Sequence, residues 1–140
     1  MLYFDIDRFK QVNDEYGHVS GDFVLRDFAR LLMQESRDTD LVSRNGGEEF
    51  SIILEKCEMT SALRIAERLR EKVEQTEFQS EDHRTIRITI SIGVASFPLN
   101  ADNAEQLVLM ADKALYAAKQ SGRNRVLAAE PLRVGADCIS

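Results

Sequence analysis

The chain of 140 residues carries 18 Lys and Arg against 24 Asp and Glu, a formal net charge of −6, and 44% of its residues are hydrophobic. A chain of this length and apolar content can bury the core of a single domain, which excludes disordered, low-complexity and collagen-like proteins. The excess of acids argues against a nucleic-acid binder, because such a surface repels phosphate backbones.

The sequence also indicates the cellular compartment of the protein. Its apolar runs fall well short of the roughly 20 residues that cross a bilayer, and charged residues follow the apolar start at once, unlike a secretory signal. Cys57 and Cys138 match no metal-ligand spacing. We therefore expect a cytoplasmic protein whose domain makes no membrane contact.

The first half of the chain predicts a buried strand, two helices and a hairpin. The second helix is indicated by apolar residues at helical spacing, and the hairpin by paired glycines between two strand-like runs. The expected ranges are a strand at 1–6, helices at 8–16 and 21–34, and hairpin strands at 41–43 and 50–54.

The second half predicts two helices and a β-rich segment. Thr60 is the expected N-cap of an amphipathic helix, and isoleucines alternate with polar residues within 85–96, so one face of that strand should be buried. Asn103 with Gln106 resembles a capping box, and Gly122 lies where a helix ends. A short strand at 125–128 closes the pattern.

Strands joined partly by hairpins and partly by helices predict an α+β fold with a central mixed, mainly antiparallel five-stranded sheet flanked by helices. Residues 1–129 are assigned to one domain. Residues 130–140 contain Pro131 and Gly135 and show no periodicity, so they are expected to form a loose tail.

Two acids close the first predicted strand. Asp5 and Asp7 are two residues apart, so in a strand both carboxylates lie on one face while Ile6 points the other way. Oxygen ligands at a strand end suit a hard divalent cation such as Mg²⁺, which works beside substrate phosphates. The alternative is that Asp7 caps the following helix and that Asp5 is an ordinary loop acid.

A second acidic cluster lies at the predicted hairpin. Gly46 and Gly47 favour a tight turn that brings backbone close to a ligand, and Glu48 and Glu49 follow directly. A solvated acidic turn would give the same pattern. Taken together, the two clusters predict one metal site of the kind that phosphoryl transfer requires.

Four motifs, in order along the chain, resemble those of the GGDEF domain of diguanylate cyclases. Its signature is written here as Gly46-Gly47-Glu48-Glu49-Phe50, and the similarity extends from about Leu2 to Val126. The resemblance implies a form of the α+β fold like that of nucleotide cyclases and polymerase palms. The other motifs are the run DIDRFKQVND at 5–14 with Gly17-His18 and Gly21-Asp22, the strand SIGVA at 91–95, and the segments ADKALY, AK and GRN within 111–124.

The resemblance implies an enzyme that condenses two GTP molecules into cyclic di-GMP and releases two pyrophosphates. Asp5, Glu48 and the carbonyl of Ile6 would hold Mg²⁺, or Mn²⁺ in its place, and Glu49 a second cation. Glu48 would also accept the 3′-hydroxyl proton, and Lys10 would neutralise charge on the phosphates.

The resemblance also implies the nucleotide contacts. Asn13 and Asp22 would read guanine, since a carboxylate accepts from the guanine N1–H and amino group, a donor pair that adenine lacks; His18 would line that pocket. Lys119 and Arg123 would clamp the terminal phosphates. The alternative interpretation is that Asp22 is an acid in the first turn of its helix and that His18 is a turn residue. Lys119 and Arg123 would then be solvated cations near a helix C-terminus.

Arg37, Asp40 and Arg68 lie where the family has its product-inhibition site. Arginine grips phosphate or stacks on guanine, and the aspartate accepts from the guanine edge. The alternative is a polar helix-to-strand loop and a solvated surface arginine.

The reaction also implies an assembly. Each 3′-oxygen must attack the α-phosphorus of the other nucleotide, so two GTP-loaded sites must face each other, as in a two-fold homodimer. The chain begins at the first strand and lacks the family's leading segment, and the resemblance implies a sensory domain in the full protein. The competing function is a catalytically silent regulatory module that binds GTP or cyclic di-GMP; Asp5, Lys10, Glu48 and Glu49 favour the enzyme.

Overall fold

The computed structural model describes residues 1–132, which form a five-stranded sheet, a two-stranded ribbon and four helices. None of these helices combines the length and the apolar character needed to cross a lipid bilayer. The elements are, in chain order, β1 (Leu2–Ile6), α1 (Phe9–Tyr16), α2 (His18–Glu35), β2 (Leu41–Gly46), β3 (Glu49–Ile53), α3 (Met59–Gln75), β4 (Phe78–Gln79), β5 (Thr85–Ile86), β6 (Ile90–Val94), α4 (Ala104–Gln120) and β7 (Val126–Ala128).

The five-stranded sheet has the order β2-β3-β1-β6-β7, with β1 at its centre. β1 is antiparallel to β3 and to β6, β2 is antiparallel to β3, and β7 is parallel to β6. The predicted α+β class with a mixed, mainly antiparallel five-stranded sheet is therefore confirmed. In this register Asp5 lies opposite Glu49 on one neighbour and Ser91 on the other.

The two faces of the sheet have different characters. Leu2, Phe4 and Ile6 point into the main core, which α1, α2 and α3 cover. Tyr3 and Asp5 point to the other face, because side chains alternate along a strand, and there α4 packs on β6. A Cβ on Gly93 would lie 2.2 Å from the Ala111 carbonyl oxygen, so the glycine lets α4 pack directly against the sheet.

Several boundaries differ from those that the sequence predicts. Helix α2 begins at His18 rather than at Gly21, because Gly17 ends α1 and starts α2 without a linker. Glu58, not Thr60, is the N-cap of α3, and its carbonyl accepts from the Ala62 N–H. The predicted β-rich run is split into β5 and β6, and β5 pairs with β4, a ribbon that the sequence does not predict.

The last helix agrees with its predicted caps. The Asn103 side chain accepts from the Gln106 N–H at 2.8 Å, although the Gln106 side chain bonds the Asp102 N–H rather than that of Asn103. Gly122 has a φ of +129° just beyond the helix end. Of the predicted tail, Leu132 donates its N–H to the Leu99 carbonyl, and 133–140 lie outside the described residues.

Candidate functional site

The end of β1 meets the turn of the β2–β3 hairpin. The Ile6 N–H donates to the Glu48 carbonyl at 3.3 Å, and Asp5 is the cross-strand partner of Glu49. Both turn glycines have positive φ, 147° at Gly46 and 50° at Gly47. The structure thus brings together the four residues that the sequence predicts as metal ligands, which are Asp5, Ile6, Glu48 and Glu49.

The Asp5 carboxylate is the buried centre of this cluster. Its Oδ2 forms an ion pair with the Lys119 ammonium on α4, and its Oδ1 is buried without a hydrogen-bond partner among residues 1–132. Burial raises the pKa of the Asp5 carboxyl above its ordinary value. The hydrogen bond and charge of Lys119 oppose this shift, whereas the negative charges of Asp7 and Glu48 add to it.

The donor set limits how a metal can be held. Within residues 1–132, no three His, Cys, Asp or Glu side chains are grouped so that they could hold a metal ion. A cation here would need backbone carbonyl, phosphate or water oxygens beside the carboxylates, which is how proteins usually bind Mg²⁺. The unpartnered Oδ1 of Asp5 fits such a ligand, because a buried anionic oxygen is stabilised by a cation.

Asp7 does not cap α1, the role that the sequence offers for it as an alternative. Arg8 is the N-cap of α1 and no side chain caps that helix. Instead the Asp7 carboxylate accepts from the Thr89 and Ser91 hydroxyls and from the Asn124 N–H. These three partners are not predicted from the sequence. The one available signal is that Thr89 and Ser91 place hydroxyls two residues apart in an apolar segment.

Glu49 faces α4. Its Oε2 accepts from the Tyr3 hydroxyl at 3.3 Å, and burial, with the Glu49 charge second, raises the pKa of that phenol. A cavity of about 360 Å³ lies beside Glu49 and is lined by Lys113, Tyr116 and Lys119 of α4. Glu49 and Lys119 therefore border one open space next to Asp5.

The predicted guanine contacts lie on α1 and α2. Asn13 Oδ1 is buried and has no hydrogen-bond partner among residues 1–132. A Cβ on Gly21 would come within 1.9 Å of that oxygen, so glycine is needed for the amide to lie where it does. Asp22 is exposed in the second turn of α2, not in its first as the alternative interpretation requires, and His18 is the first residue of α2.

The predicted phosphate contacts approach from two elements. Lys10 is exposed in the first turn of α1, directly after the Asp5–Asp7 segment. Arg123 follows α4 in a left-handed conformation with a φ of 63°, and its N–H donates to the Ala118 carbonyl. Lys119, one turn earlier, already pairs with Asp5. Of these three cations, Lys119 contacts Asp5, whereas Lys10 lies on α1 shortly after β1 and Arg123 lies just beyond α4.

The predicted product-binding residues form a separate group between α2 and β2. The Arg37 guanidinium donates to Asp40 Oδ1 at 2.9 Å and 3.1 Å, and this hydrogen bond raises the pKa of Arg37. Arg68, exposed on α3, lines one small cavity together with Asp40. The three residues are therefore neighbours away from the Asp5 cluster, with Arg37 and Arg68 exposed and only 4% of the Asp40 side chain exposed.

Comparison with known families gives one extended match. A model of the family described as "Diguanylate cyclase, GGDEF domain" matches residues 1–125. Among curated proteins, the chain is 44% identical over 126 residues to "Diguanylate cyclase A" of Treponema denticola, an alignment that covers 90% of this chain and 34% of that protein. The chain thus spans about a third of the length of the curated relatives that it matches first.

Solved structures give the same result. The GGDEF domain of PA1120 from Pseudomonas aeruginosa is similar with a TM-score of 0.89 and 36% identity, covering 94% of this chain and 81% of that one. The active GGEEF domain of a diguanylate cyclase from Vibrio cholerae has a TM-score of 0.78 and 32% identity, with 94% and 82% covered. The GGDEF domain of DgcB from Caulobacter crescentus, solved in complex with c-di-GMP, has a TM-score of 0.81 and 30% identity, with 91% and 75% covered.

Proposed function

Because the chain belongs to the GGDEF family of diguanylate cyclases, we propose that it condenses two GTP molecules into cyclic di-GMP and releases two pyrophosphates. The observation that carries the proposal is the buried Asp5 carboxylate, whose Oδ1 has no partner among residues 1–132, at the end of β1 beside the Glu48–Glu49 turn. A buried anionic oxygen left without a donor is costly unless a ligand completes it.

The oxygen-rich cluster suits a hard cation. Asp5, Glu48 and the Ile6 carbonyl would hold Mg²⁺, or Mn²⁺ in its place, and Glu49 a second cation. When bound, the cation supplies positive charge beside the triphosphate and so favours attack at phosphorus. The shortage of protein ligands leaves coordination positions for the phosphate oxygens.

The remaining charged groups have roles in proton transfer and phosphate binding. Glu48 would accept the proton of the attacking 3′-hydroxyl. Lys10, Lys119 and Arg123 would stabilise the negative charge of the phosphates, the largest contribution that a protein makes to phosphoryl transfer. Lys119 supports this assignment by its position, since its ammonium already lies at Asp5 and can exchange that carboxylate for a phosphate oxygen.

Residues of α1 and α2 would form the pocket that selects guanine. Asn13 Oδ1 is a buried acceptor without a donor among residues 1–132, and an unpaired buried acceptor favours a ligand that brings an N–H group. Asp22 would accept from the guanine N1–H and amino group, and His18 would line the pocket. Adenine lacks that pair of donors, so the enzyme would prefer GTP to ATP.

The reaction would take place in a homodimer and would be inhibited by its product. Two sites must face each other because each nucleotide attacks the other, and a two-fold dimer is the simplest way to do so. Cyclic di-GMP would bind at Arg37, Asp40 and Arg68, where the guanidinium groups suit phosphates and guanine faces. A sensory domain in the full protein would control how the two sites meet.

Incubation of the purified protein with GTP and Mg²⁺, followed by chromatography for cyclic di-GMP, tests the proposal. Product is expected to form with a rate that rises more steeply than the protein concentration, because the active species is a dimer. Glu48→Gln should abolish turnover while the melting temperature stays close to that of the wild type. Glu71→Gln, an exposed acid on α3, is the matched control and should remain active. Binding of GTP without any product at high protein concentration would instead identify a silent regulatory module.

A further inference from the structure

The Asp7 carboxylate holds together three segments that are far apart in sequence. Its Oδ1 accepts from the Ser91 hydroxyl at 2.6 Å, and its Oδ2 accepts from the Thr89 hydroxyl at 2.7 Å and from the Asn124 N–H at 3.0 Å. Asp7 is 6% exposed. Three donors thus occupy the two oxygens of one buried carboxylate.

Asp5 and Asp7 therefore differ in whether a carboxylate oxygen remains free to bind a ligand. Asp5 keeps one buried oxygen without a partner within residues 1–132, whereas both oxygens of Asp7 already have donors. Neutral donors thus fill three of the roughly four acceptor positions of the Asp7 carboxylate, so its contacts are those of a structural anchor. The two acids of the Asp5-Ile6-Asp7 segment thus have separate roles.

The segment that Asp7 holds is a turn with two consecutive residues of positive φ. Arg123 and Asn124, which follow α4, have φ values of 63° and 45°. This left-handed region is unfavourable for arginine, whereas asparagine tolerates it, so surrounding contacts are needed to fix Arg123 there. The contacts here are the Arg123 N–H to the Ala118 carbonyl, the Arg125 guanidinium to the Arg123 carbonyl, and the Asn124 N–H to Asp7.

The side chain of Asn124 ties the same turn to α3. Its Oδ1 accepts from the Arg70 guanidinium at 2.8 Å, and its Nδ2 donates to Glu74. Arg70 is in turn paired with Glu67. Asn124 is therefore bound through its backbone on the sheet side and through its side chain on the helix side, which fixes the turn that carries Arg123.

We propose that Asp7 is a positioning residue: it holds the turn at 123–124 against the end of β1, so that Arg123 faces the ligand site of Asp5. The proposal rests on the proposed function for the identity of the ligand, a guanine nucleotide triphosphate. Two attachments join the α4 end to β1 in the free protein, Lys119 to Asp5 and Asn124 to Asp7. Binding at Asp5 takes away the first, and the second then maintains the position of Arg123.

Three variants test this role. Asp7→Ala removes the acceptors. Asp7→Asn removes the charge but keeps an oxygen for Thr89 and Asn124, while its amide can donate to the Ser91 hydroxyl. Asn100→Ala is the matched control, since Asn100 is also buried and also makes three hydrogen bonds, to Ser96, Ala129 and Glu130, away from Asp7.

Two measurements are made on each variant. Amide hydrogen exchange at Asn124, followed by NMR without nucleotide, reports the anchor itself. Calorimetry with Mg²⁺ and a non-hydrolysable GTP analogue reports the affinity of the site. Asp7→Ala should speed exchange at Asn124 and weaken binding, each roughly tenfold, because a buried hydrogen bond and the turn that it fixes are lost. Asp7→Asn should stay within about threefold of the wild type. Asn100→Ala should lower the melting temperature and change neither quantity.

Each contrary outcome overturns the proposal. Unchanged exchange at Asn124 in Asp7→Ala shows that the carboxylate does not hold the turn. Equal losses in Asp7→Asn and Asp7→Ala assign the effect to charge, and equal losses in Asn100→Ala assign it to general stability. If Asp7→Ala does not fold, the double variant Thr89→Val, Ser91→Ala takes its place. It must also show faster exchange at Asn124 and weaker binding of the GTP analogue. If the wild-type protein binds no nucleotide, the proposed function is refuted. Amide hydrogen exchange at Asn124 still shows whether Asp7 holds the turn.

Discussion

The ammonium of Lys119 and the carboxylate of Asp5 form an ion pair whose two partners differ in exposure: 32% of the Lys119 side chain is exposed, against 6% of the Asp5 side chain. The cost of desolvation therefore falls mainly on the acid, and burial raises the pKa of Asp5 although a cation lies beside it. The free protein thus holds an acid that a better counter-ion would stabilise.

The first prediction is that Asp5→Asn stabilises the free protein at neutral pH and loses this effect in acid. The pKa of the Asp5 carboxyl is raised on folding. Once the pH exceeds the ordinary carboxyl pKa of about 4, the folded state therefore binds more protons than the unfolded state. The stability of the wild type then falls with rising pH until the raised pKa is passed. Melting temperatures from about pH 4 to pH 8 should show a variant advantage that grows and then levels off. The same difference at every pH would refute this, and Asp38→Asn in an exposed loop is the control.

The second prediction concerns Gly21. Gly21→Ala should raise the KM for GTP, because the new Cβ would meet Asn13 Oδ1 at 1.9 Å and displace the amide that we assign to guanine. In an Asn13→Ala background this contact is gone and the nearest remaining atom is Phe9 Cζ at 3.3 Å. The same change should therefore cost less stability there, with helix propensity offsetting up to about 1 kcal/mol of the cost. Steady-state kinetics and urea unfolding of the wild type, the two single variants and the double variant measure the changes in KM and in stability. Additive changes would show that Gly21 and Asn13 do not interact.

The third prediction is that Gly93→Ala separates α4 from the sheet. A Cβ there would lie 2.2 Å from the Ala111 carbonyl oxygen and 2.3 Å from the Leu115 nitrogen, and backbone atoms cannot move aside as a flexible side chain can. We expect a loss of about 1–3 kcal/mol in the free energy of unfolding. Urea denaturation measures this loss, and an unchanged midpoint would mean that the backbone of α4 does not pack directly on Gly93.

The fourth prediction concerns the product site. Arg37→Ala and Arg68→Ala should each reduce inhibition by added cyclic di-GMP, while turnover without product stays unchanged, because both residues lie away from the Asp5 cluster. Arg64→Ala, an exposed arginine one turn earlier on α3, is the control. Inhibition curves that coincide with those of the wild type would rule out this surface as the product site.

Local sequence patterns predict most of the helices and strands, and the wrong boundaries have local causes. Asn103 is correctly predicted as a helix N-cap because its bond to Gln106 lies within one turn. The start of α2 is predicted too late because Gly17 acts at once as the end of one helix and the start of the next. The β4–β5 ribbon is missed because its strands have two residues each, too few to show a period.

The candidate site is predictable where a motif carries it and unpredictable where distant segments complete it. The sequence leads to Asp5 and Glu48 through short motifs, and the structure brings the two together. It does not lead to the partners of Asp7, since Thr89, Ser91 and Asn124 are 82, 84 and 117 residues away along the chain. That network follows from the strand order, which places β6 beside β1 and the α4–β7 turn near its end.

The alternation along β1 has an evolutionary consequence. Leu2, Phe4 and Ile6 point into the main core, while Tyr3 and Asp5 point to the face that α4 covers. A substitution at Asp5 that keeps its size leaves the main core intact, whereas Tyr3 also packs against the small cluster under α4. A lineage can therefore change the proposed ligand site at Asp5 in a single step and still inherit the same scaffold.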